Sequence, residues 1–399
     1  MNLSKQLFAS VLVMLAVGAL SACGGSENKG TNDDSAADSS SLDGGNSNNS
    51  SDVVTKTIDA TAGGRGVAAD DPANKYTYFN LATGEVVELT DVEAEFSTNW
   101  DIAFKRTNTK LNGGVSGAGS VSGAIADAQE DYYNAEGEPN DSVFLNATSD
   151  LELASLEAIT NVSGLDFATD RYVPAIIGGY GEKSMWSYDR TTHTVSVVSD
   201  QWWLVKSSSG DSYAKLHATD LTKTDSSRDI TLEYFFQASG ESAFSTTPST
   251  HTFNIPLDGG GICYDFDAAV EDDCTSADWD IKVEYANRTY NIWTNGGVFG
   301  DGDGAATGPV EGSKVSDYVS GTLTSSDSNY SAHYSSDGIG GVFIDNGWYE
   351  YSLQGEHKLW PNYRVYAIDT GSAQYALQIL SFYNKAGTSG WITLRYKEM

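Results

Sequence analysis

Basic residues are scarce in this sequence, and their scarcity excludes one large class of partners. The 399 residues include 23 Lys and Arg against 55 Asp and Glu, which gives a formal net charge of −32 at pH 7. Nucleic-acid binding depends on basic patches that neutralise phosphates. The composition therefore argues against a nucleic-acid partner and against binding to anionic lipid surfaces. A charge of this sign favours solubility in a salty medium.

Catalytic motifs are missing as well. The sequence contains no GxSxG elbow, no HExxH, no P-loop and no GxGxxG. Its five histidines are scattered, and no two of them lie at the spacing of zinc ligands. We therefore expect a protein that is not an enzyme.

A long apolar run occurs only at the N-terminus. Lys5 precedes an apolar stretch over residues 7–20, and the sequence LSAC then ends at Cys23. A charged start, a short apolar stretch and small residues before a cleavage point are typical of a signal peptide. The stretch is shorter than the roughly 20 apolar residues of a transmembrane helix. We predict a signal peptide over residues 1–22, with Cys23 lipidated as in a bacterial lipobox; an ordinary signal peptide is the alternative.

The residues after Cys23 predict where the protein is held. Gly24 follows the cysteine where an Asp would signal retention at the inner membrane. Residues 23–52 are nearly all Gly, Ser, Asn and Asp, a composition that cannot bury a core and predicts a flexible tether. We expect a protein attached to the outer membrane through its lipid anchor only, facing the cell surface or the periplasm.

Cysteine is rare, which makes the remaining pair informative. If Cys23 is lipidated, Cys263 and Cys274 are left as an even pair in an oxidising compartment. This predicts a disulfide bond. A two-thiol metal site is the alternative, but no CxxC and no nearby histidine supports it.

The sequence contains an internal duplication. NWDIAF at residues 99–104 matches DWDIKV at 278–283, and NGGV occurs at 112–115 and again at 295–298. YA followed by ITLEY or ITLRY completes both copies, with the same separation of 21 residues between the two tyrosines. The order and spacing predict two tandem domains at residues 53–240 and 246–399. We expect the NGGV glycines at turns that require positive φ, with Asp101 and Asp280 bracing those turns.

Strand patterns dominate both copies. KYTYFNL, HTVSVV, YALQILSFY and WITLRY are short, partly alternating and rich in β-branched and aromatic residues, and Gly, Asn and Asp separate them. These patterns predict an all-β fold made of two antiparallel domains.

The repeated motifs resemble a known family. NWDIAFKRTNTKLNGGVSG, which starts at residue 99, resembles the front signature of the HmuY family of bacterial haem-binding lipoproteins. YRVYAIDTGSAQYALQILSFYNKAGTSGWITLRY, which ends at residue 396, is similar to the family's C-terminal signature. The first copy matches the front signature better, and the second matches the C-terminal signature better. The resemblance covers nearly all of residues 53–399, and it implies an all-β fold, haem capture outside the cell and transfer to an outer-membrane receptor.

The resemblance also implies that two His or Met side chains from the region between the signatures hold the iron. Imidazole nitrogen and thioether sulfur are both axial ligands of haem iron. In the second copy the candidates are His333 and His357. The aromatic residues expected to line their haem slot are Tyr334, Trp348 and Trp360.

The first copy offers a different ligand pair in the corresponding region. Met185 and His193 are the candidates there, with Trp186 nearby. His217 lies inside a strand pattern, and we interpret it as structural. Each candidate has a structural alternative, because a histidine in a β protein is commonly hydrogen-bonded at the surface and an aromatic cluster is commonly core.

A second function class remains open from sequence. Exposed aromatic residues on a β module stack on sugars, so a surface protein that binds glycans or acts in adhesion without haem is the alternative. The His and Met content between the two signatures favours the haem hypothesis.

Overall fold

Residues 53–399 are described by a computed structural model, apart from residues 64–72, 136, 177–183, 190, 258–259 and 287. The predicted signal peptide, Cys23 and the tether lie outside the described residues.

Short antiparallel strands are the main secondary structure of the described chain, and the all-β prediction is confirmed. The strands are β1 (Val54–Asp59), β2 (Thr77–Asn80), β3 (Glu85–Val87), β4 (Ile102–Lys105), β5 (Asn108–Leu111), β6 (Ser122–Asp127), β7 (Arg171–Val173), β8 (Trp186–Asp189), β9 (Thr194–Val197), β10 (Gln201–Lys206), β11 (Tyr213–Lys223), β12 (Ser227–Gln237), β13 (Ser249–Pro256), β14 (Ile262–Asp265), β15 (Val270–Asp272), β16 (Ile281–Ala286), β17 (Thr289–Thr294), β18 (Ala305–Glu311), β19 (Gly338–Gly340), β20 (Tyr349–Tyr351), β21 (Leu359–Pro361), β22 (Val365–Asp369), β23 (Gln374–Tyr383) and β24 (Ser389–Glu398). The short helices are α1 (Asp91–Phe96), α2 (Asp141–Asn146), α3 (Leu153–Ala158) and α4 (Val342–Asp345). No helix in the described part of the chain has the length and apolar character needed to cross a membrane.

Two modules with the same strand order are built from these strands. The outer module contains a five-stranded sheet, β1-β24-β23-β22-β6, and a four-stranded sheet, β3-β2-β4-β5. The inner module repeats this plan with β13-β12-β11-β10-β18 and β15-β14-β16-β17. The outer module therefore joins the front of the first sequence copy to the end of the second, and the inner module joins the two remaining halves.

The hydrophobic cores follow the modules and not the sequence copies. In the outer core, Phe104 of the first copy packs in one cluster with Tyr366 of the second, and both are fully buried. In the inner core, Trp203 of the first copy is clustered with Ile281 of the second, again with full burial. Burial of apolar surface is the main stabilising term in folding, so each copy depends on the other for its core.

The chain passes between the modules at β7 and β19. These strands pair antiparallel with Tyr172 opposite Ile339. The arrangement has the topology of a domain swap, in which two identical units exchange halves, but here both units belong to one chain. The predicted boundary at residues 240–246 separates two sequence copies, and it does not separate two sheets.

The repeated Asn-Gly-Gly motif braces the same loop in both modules. The Asn112 side chain donates to the Trp100 carbonyl at 2.8 Å, and the Asn295 side chain donates to the Trp279 carbonyl at 2.8 Å. The two tryptophans are buried core anchors. The motif that is repeated in the sequence therefore makes the same hydrogen bond in both modules.

Glycine is required in these motifs for two different reasons. Gly114 has φ +64° and Gly297 has φ +68°, as expected for turn positions. Gly113 and Gly296 do not have positive φ; a Cβ on either would lie 2.1 Å from a neighbouring carbonyl oxygen. The first of each pair therefore allows close backbone approach, and the second supplies the left-handed turn.

The Asp280 carboxylate hydrogen-bonds to two other loops of the inner module, and not to the Gly296–Gly297 turn that it was predicted to brace. Its two carboxylate oxygens accept backbone N–H bonds from Ser208 and Phe266, both at 2.8 Å. Burial raises its pKa to about 6, and the nearby Asp265 adds to the shift. In the outer module, Asp101 accepts a backbone N–H bond from Leu81 at 2.7 Å.

The predicted disulfide is confirmed. Cys263 in β14 is bonded to Cys274, which follows β15, with a sequence separation of 11 residues. Cys263 is fully buried in the inner module.

Removing this disulfide should destabilise the protein by about 3 kcal/mol, because cross-linking a loop this short restricts the unfolded chain by about that amount. The Cys263→Ala/Cys274→Ala double variant and the chemically reduced wild type should both unfold at lower urea concentration than the oxidised protein. Equal urea midpoints for all three forms would contradict the expected stabilisation.

Candidate functional site

A cleft of about 950 Å³ lies between the two modules. Lys105, Lys110 and Tyr351 line it from the outer module, and Thr307 and His333 line it from the inner module. Pockets that bind small molecules typically enclose about 300–1,000 Å³. The cleft has this size, and both modules contribute to its walls.

His333 lies on the wall of this cleft. It ends a short 3₁₀ turn, Ser331–His333, whose exposed side chains include the imidazole. The backbone N–H of His333 donates to the Tyr330 carbonyl at 2.8 Å, which holds the turn closed. A hydrogen-bonded turn thus presents His333, one of the predicted iron-ligating residues, to the cleft.

His357 lies in the hairpin between β20 and β21 and is hydrogen-bonded to a residue of the cleft. Its Nδ1 atom is 2.8 Å from the hydroxyl of Tyr351, which lines the cleft. When Nδ1–H donates to the tyrosine oxygen, Nε2 keeps its lone pair for a ligand. A hydrogen bond to the other ring nitrogen is the usual way in which a metal-binding histidine is oriented. His333 and Tyr351 therefore line one cleft, and His357 is hydrogen-bonded to Tyr351.

The first copy contains the same tyrosine–histidine hairpin. Between β8 and β9, Nδ1 of His193 lies 2.8 Å from the hydroxyl of Tyr188. His193 and His357 both have φ +56°, so the two turns share an uncommon backbone conformation as well. Tyrosine and histidine are five residues apart in the first hairpin and six apart in the second, and the two hairpins occupy equivalent positions in the fold.

Met185 is placed differently from His193. Met185 is fully buried in the inner core, and Trp186 is buried there against Tyr290 at a ring distance of 5.3 Å. His193 is exposed. A thioether in the core cannot contact a ligand unless the core opens, whereas the imidazole of His193 is accessible.

The aromatic residues predicted around the second-copy ligands are mostly packing residues. Tyr334 is stacked on Tyr330, and its hydroxyl donates to the Gly321 carbonyl at 2.9 Å. Trp360 is half-buried against the core of the outer module. Among the described residues that line the cleft, Trp348 is the one member of the predicted set.

His217 is structural, as its strand position indicated. Its ring stacks on Trp202 at 3.7 Å, and its nitrogens contact the Ser199 carbonyl at 2.7 Å and the Glu233 carboxylate at 3.2 Å. Both ring nitrogens are therefore engaged away from solvent.

Two lysines that the sequence analysis did not single out are prominent in the cleft. The Nζ atoms of Lys105 and Lys110 lie 4.7 Å and 4.4 Å from the centre of the Tyr76 ring. Burial lowers the pKa of Lys110. The sequence could have indicated these residues, because two lysines five residues apart in one predicted hairpin are unusual in a protein with so few basic residues.

Asp337 is a buried carboxyl group on the same wall. It accepts backbone N–H bonds from Ala175 at 2.7 Å and from Thr294 at 2.8 Å. Burial nevertheless dominates and raises its pKa from 3.8 to about 7.

This shift predicts that the folded protein loses stability as pH rises from about 4 through 7, since the native state binds a proton that the unfolded chain releases. The Asp337→Asn variant cannot ionise at this position, so its free energy of unfolding should fall less between pH 5 and pH 8 than that of the wild type. Urea titrations at several pH values measure this, with the exposed Asp301→Asn as control. An unchanged pH slope in Asp337→Asn would refute the expectation.

The described residues define a duplicated all-β protein whose interlocked modules share one cleft. The HmuY family model, described as HmuY protein, matches residues 73–234, and the resemblance seen in the sequence is confirmed over that segment. The matched segment extends from the front of the first copy to its closing strand. The matched segment therefore has its two halves in different modules of this chain.

Three solved structures resemble the chain at low similarity. A putative lipoprotein from Bacteroides fragilis has 12% identity, a TM-score of 0.29, and coverage of 88% of this chain and 91% of that chain. A putative HmuY-like heme-binding protein from Bacteroides vulgatus has 11% identity, a TM-score of 0.28, and coverage of 86% and 91%. The apo HmuY analog of Tannerella forsythia has 10% identity, a TM-score of 0.24, and coverage of 88% and 99%. Similarities this low carry no argument about ligand or site, and no curated protein matches the chain.

Proposed function

We propose that the protein is a cell-surface lipoprotein that captures haem and passes it to an outer-membrane receptor. The family match over residues 73–234 supports haem as the cargo. The observation that carries the proposal is that His333 and Tyr351 line one cleft while the Tyr351 hydroxyl lies 2.8 Å from Nδ1 of His357. Imidazoles at these positions fit the donor chemistry that haem iron accepts.

Titration of haemin tests this function. The wild type should develop a sharp Soret band, because two neutral imidazoles make the iron low-spin. His333→Ala and His357→Ala should each broaden and shift the band, and the double variant should bind at least tenfold more weakly, a loss of about 1.4 kcal/mol. The β fold should persist in all variants, since both histidines are exposed on turns.

His193→Ala is the matched control, because it removes the equivalent histidine of the other tyrosine–histidine hairpin. Its spectrum should equal that of the wild type. Unchanged spectra in the His333/His357 double variant would eliminate this pair. No Soret change in the wild type would overturn haem binding and favour the glycan-binding or adhesive alternative.

Anchoring through Cys23 is the second element of the proposal. Replacing Cys23 with Ser removes the thiol that would carry the lipid, and the protein should move from the membrane fraction to the soluble fraction. Retention of the full amount of Cys23→Ser with the membranes would refute lipid anchoring. Ser21→Ala, which leaves the cysteine in place, serves as the control.

A further inference from the structure

We propose that Lys105 and Lys110 bind the carboxylates of the tetrapyrrole in the cleft between the modules, so that the two sequence copies together form one binding site per chain. The identity of the ligand rests on the proposed function. The location of the site and its charge rest on the geometry described next.

The two lysines project from the same face of one hairpin. Lys110 in β5 pairs with Ala103 in β4, and Lys105 lies two residues further along β4. Side chains that alternate along a strand and those directly opposite across a pair share a face of the sheet. Both ammonium groups accordingly lie over the Tyr76 ring and line the cleft.

Neither lysine is neutralised by an ion pair within the described part of the chain. Two like charges beside one aromatic ring repel each other, and partial burial of Lys110 increases the cost of its charge. The carboxylates that share the cleft are Glu350 and Asp337, and both Asp337 oxygens are occupied by backbone N–H groups. Asp91 and Asp170 also favour the charged form of Lys110, although neither forms an ion pair with it. An entering dianion would add a direct partner for both ammonium groups.

The inner module has no lysine pair at the equivalent positions. In the matching hairpin, β16 and β17, the register places Glu284 where the outer module has Lys105, and Trp293 where it has Lys110. Trp293 Nε1 donates to the Glu284 carboxylate at 2.9 Å, so these two side chains satisfy each other. The duplicated fold therefore offers one cationic pair and not two.

The remaining walls of the cleft suit a flat, largely apolar ring system. Tyr351 contributes aromatic surface from the outer module, and Val298 contributes apolar surface from the inner module, while Trp348 on the same wall is buried in the outer core. Tyr351 and Val298 are 57% and 41% exposed, so both are accessible to a ligand. In a protein with a net charge of −32, an anionic ring would otherwise be repelled, and the lysines offset that repulsion locally.

Iron-free protoporphyrin IX is the probe that isolates the contribution of the two lysines to binding, because this porphyrin has no iron and needs no iron ligand. Fluorescence titration of the full-length mature protein should give one porphyrin per chain. Lys105→Gln/Lys110→Gln should weaken binding at least tenfold, and Lys105→Arg/Lys110→Arg should retain it. The protoporphyrin dimethyl ester should bind the wild type and the Gln variant equally, because the ester has no carboxylate charge.

Lys282→Gln is the matched control, since Lys282 also lies over an aromatic ring, Phe299, at 5.1 Å but outside the cleft. Circular dichroism verifies that each variant is folded. A stoichiometry of two, or equal protoporphyrin affinity in the wild type and the Gln variant, would overturn the inference. If the lysine inference fails but haemin still gives histidine-dependent spectra, the proposed haem-capture function is retained without the lysine site. If porphyrin binding depends on the lysines but haemin gives no Soret change, the lysine site is retained and haem capture is refuted.

Discussion

Cleavage of the folded chain within residues 238–243 should leave the two fragments associated as a 1:1 complex. This loop is exposed and follows β12. After the cut, β1 would still be paired with β24, β6 with β22, and β10 with β18, so each pairing joins the two fragments. Both cores would also still contain residues from the two fragments.

Gel filtration of a variant with a specific protease site inserted in this loop measures the effect. The cleaved protein should elute at the position of the intact chain under native conditions and separate into two fragments in concentrated urea. Two fragments that elute separately without denaturant would show that each copy forms an independent domain and would contradict the exchange of halves.

Truncating Trp203 should destabilise the protein by about 3–5 kcal/mol, the usual cost of replacing a buried aromatic side chain with alanine. Trp203 lies in β10, is fully buried, and belongs to a core made from both sequence copies. The cavity left by Trp203→Ala would therefore weaken the packing of β16 and β17 as well as that of the strands next to β10.

Urea unfolding followed by circular dichroism gives the free energy for this variant. Phe96→Ala is the control, because Phe96 is 79% exposed and its truncation should change the free energy by no more than about 0.5 kcal/mol. A loss below about 1 kcal/mol in Trp203→Ala would contradict a core that spans both copies.

Part of the candidate site could be proposed from sequence: among the residues predicted, His333 and Trp348 line the cleft. The rest of the cleft could not be predicted, for one physical reason. His333 and His357 could be named as candidate iron ligands because ligand chemistry depends on residue type. The cleft that His333 lines was not predictable, since its walls come from positions as distant as Lys110 and Thr307. The aromatic residues chosen by proximity in sequence, such as Tyr334 and Trp360, are mainly packing residues, because nearness along a strand does not decide which face a side chain occupies.

By itself, the sequence determined the strand content, the duplication and the disulfide between Cys263 and Cys274, because alternation, repeated motifs and cysteine count are local properties. Only the tertiary structure decided which halves pair. Each front half carries the same motifs as the other, so either could complete its sheets with either end half at a similar gain in buried apolar surface. The crossing strands at Tyr172 and Ile339 fix the exchange, and that choice places Lys105, Lys110 and His333 on one cleft.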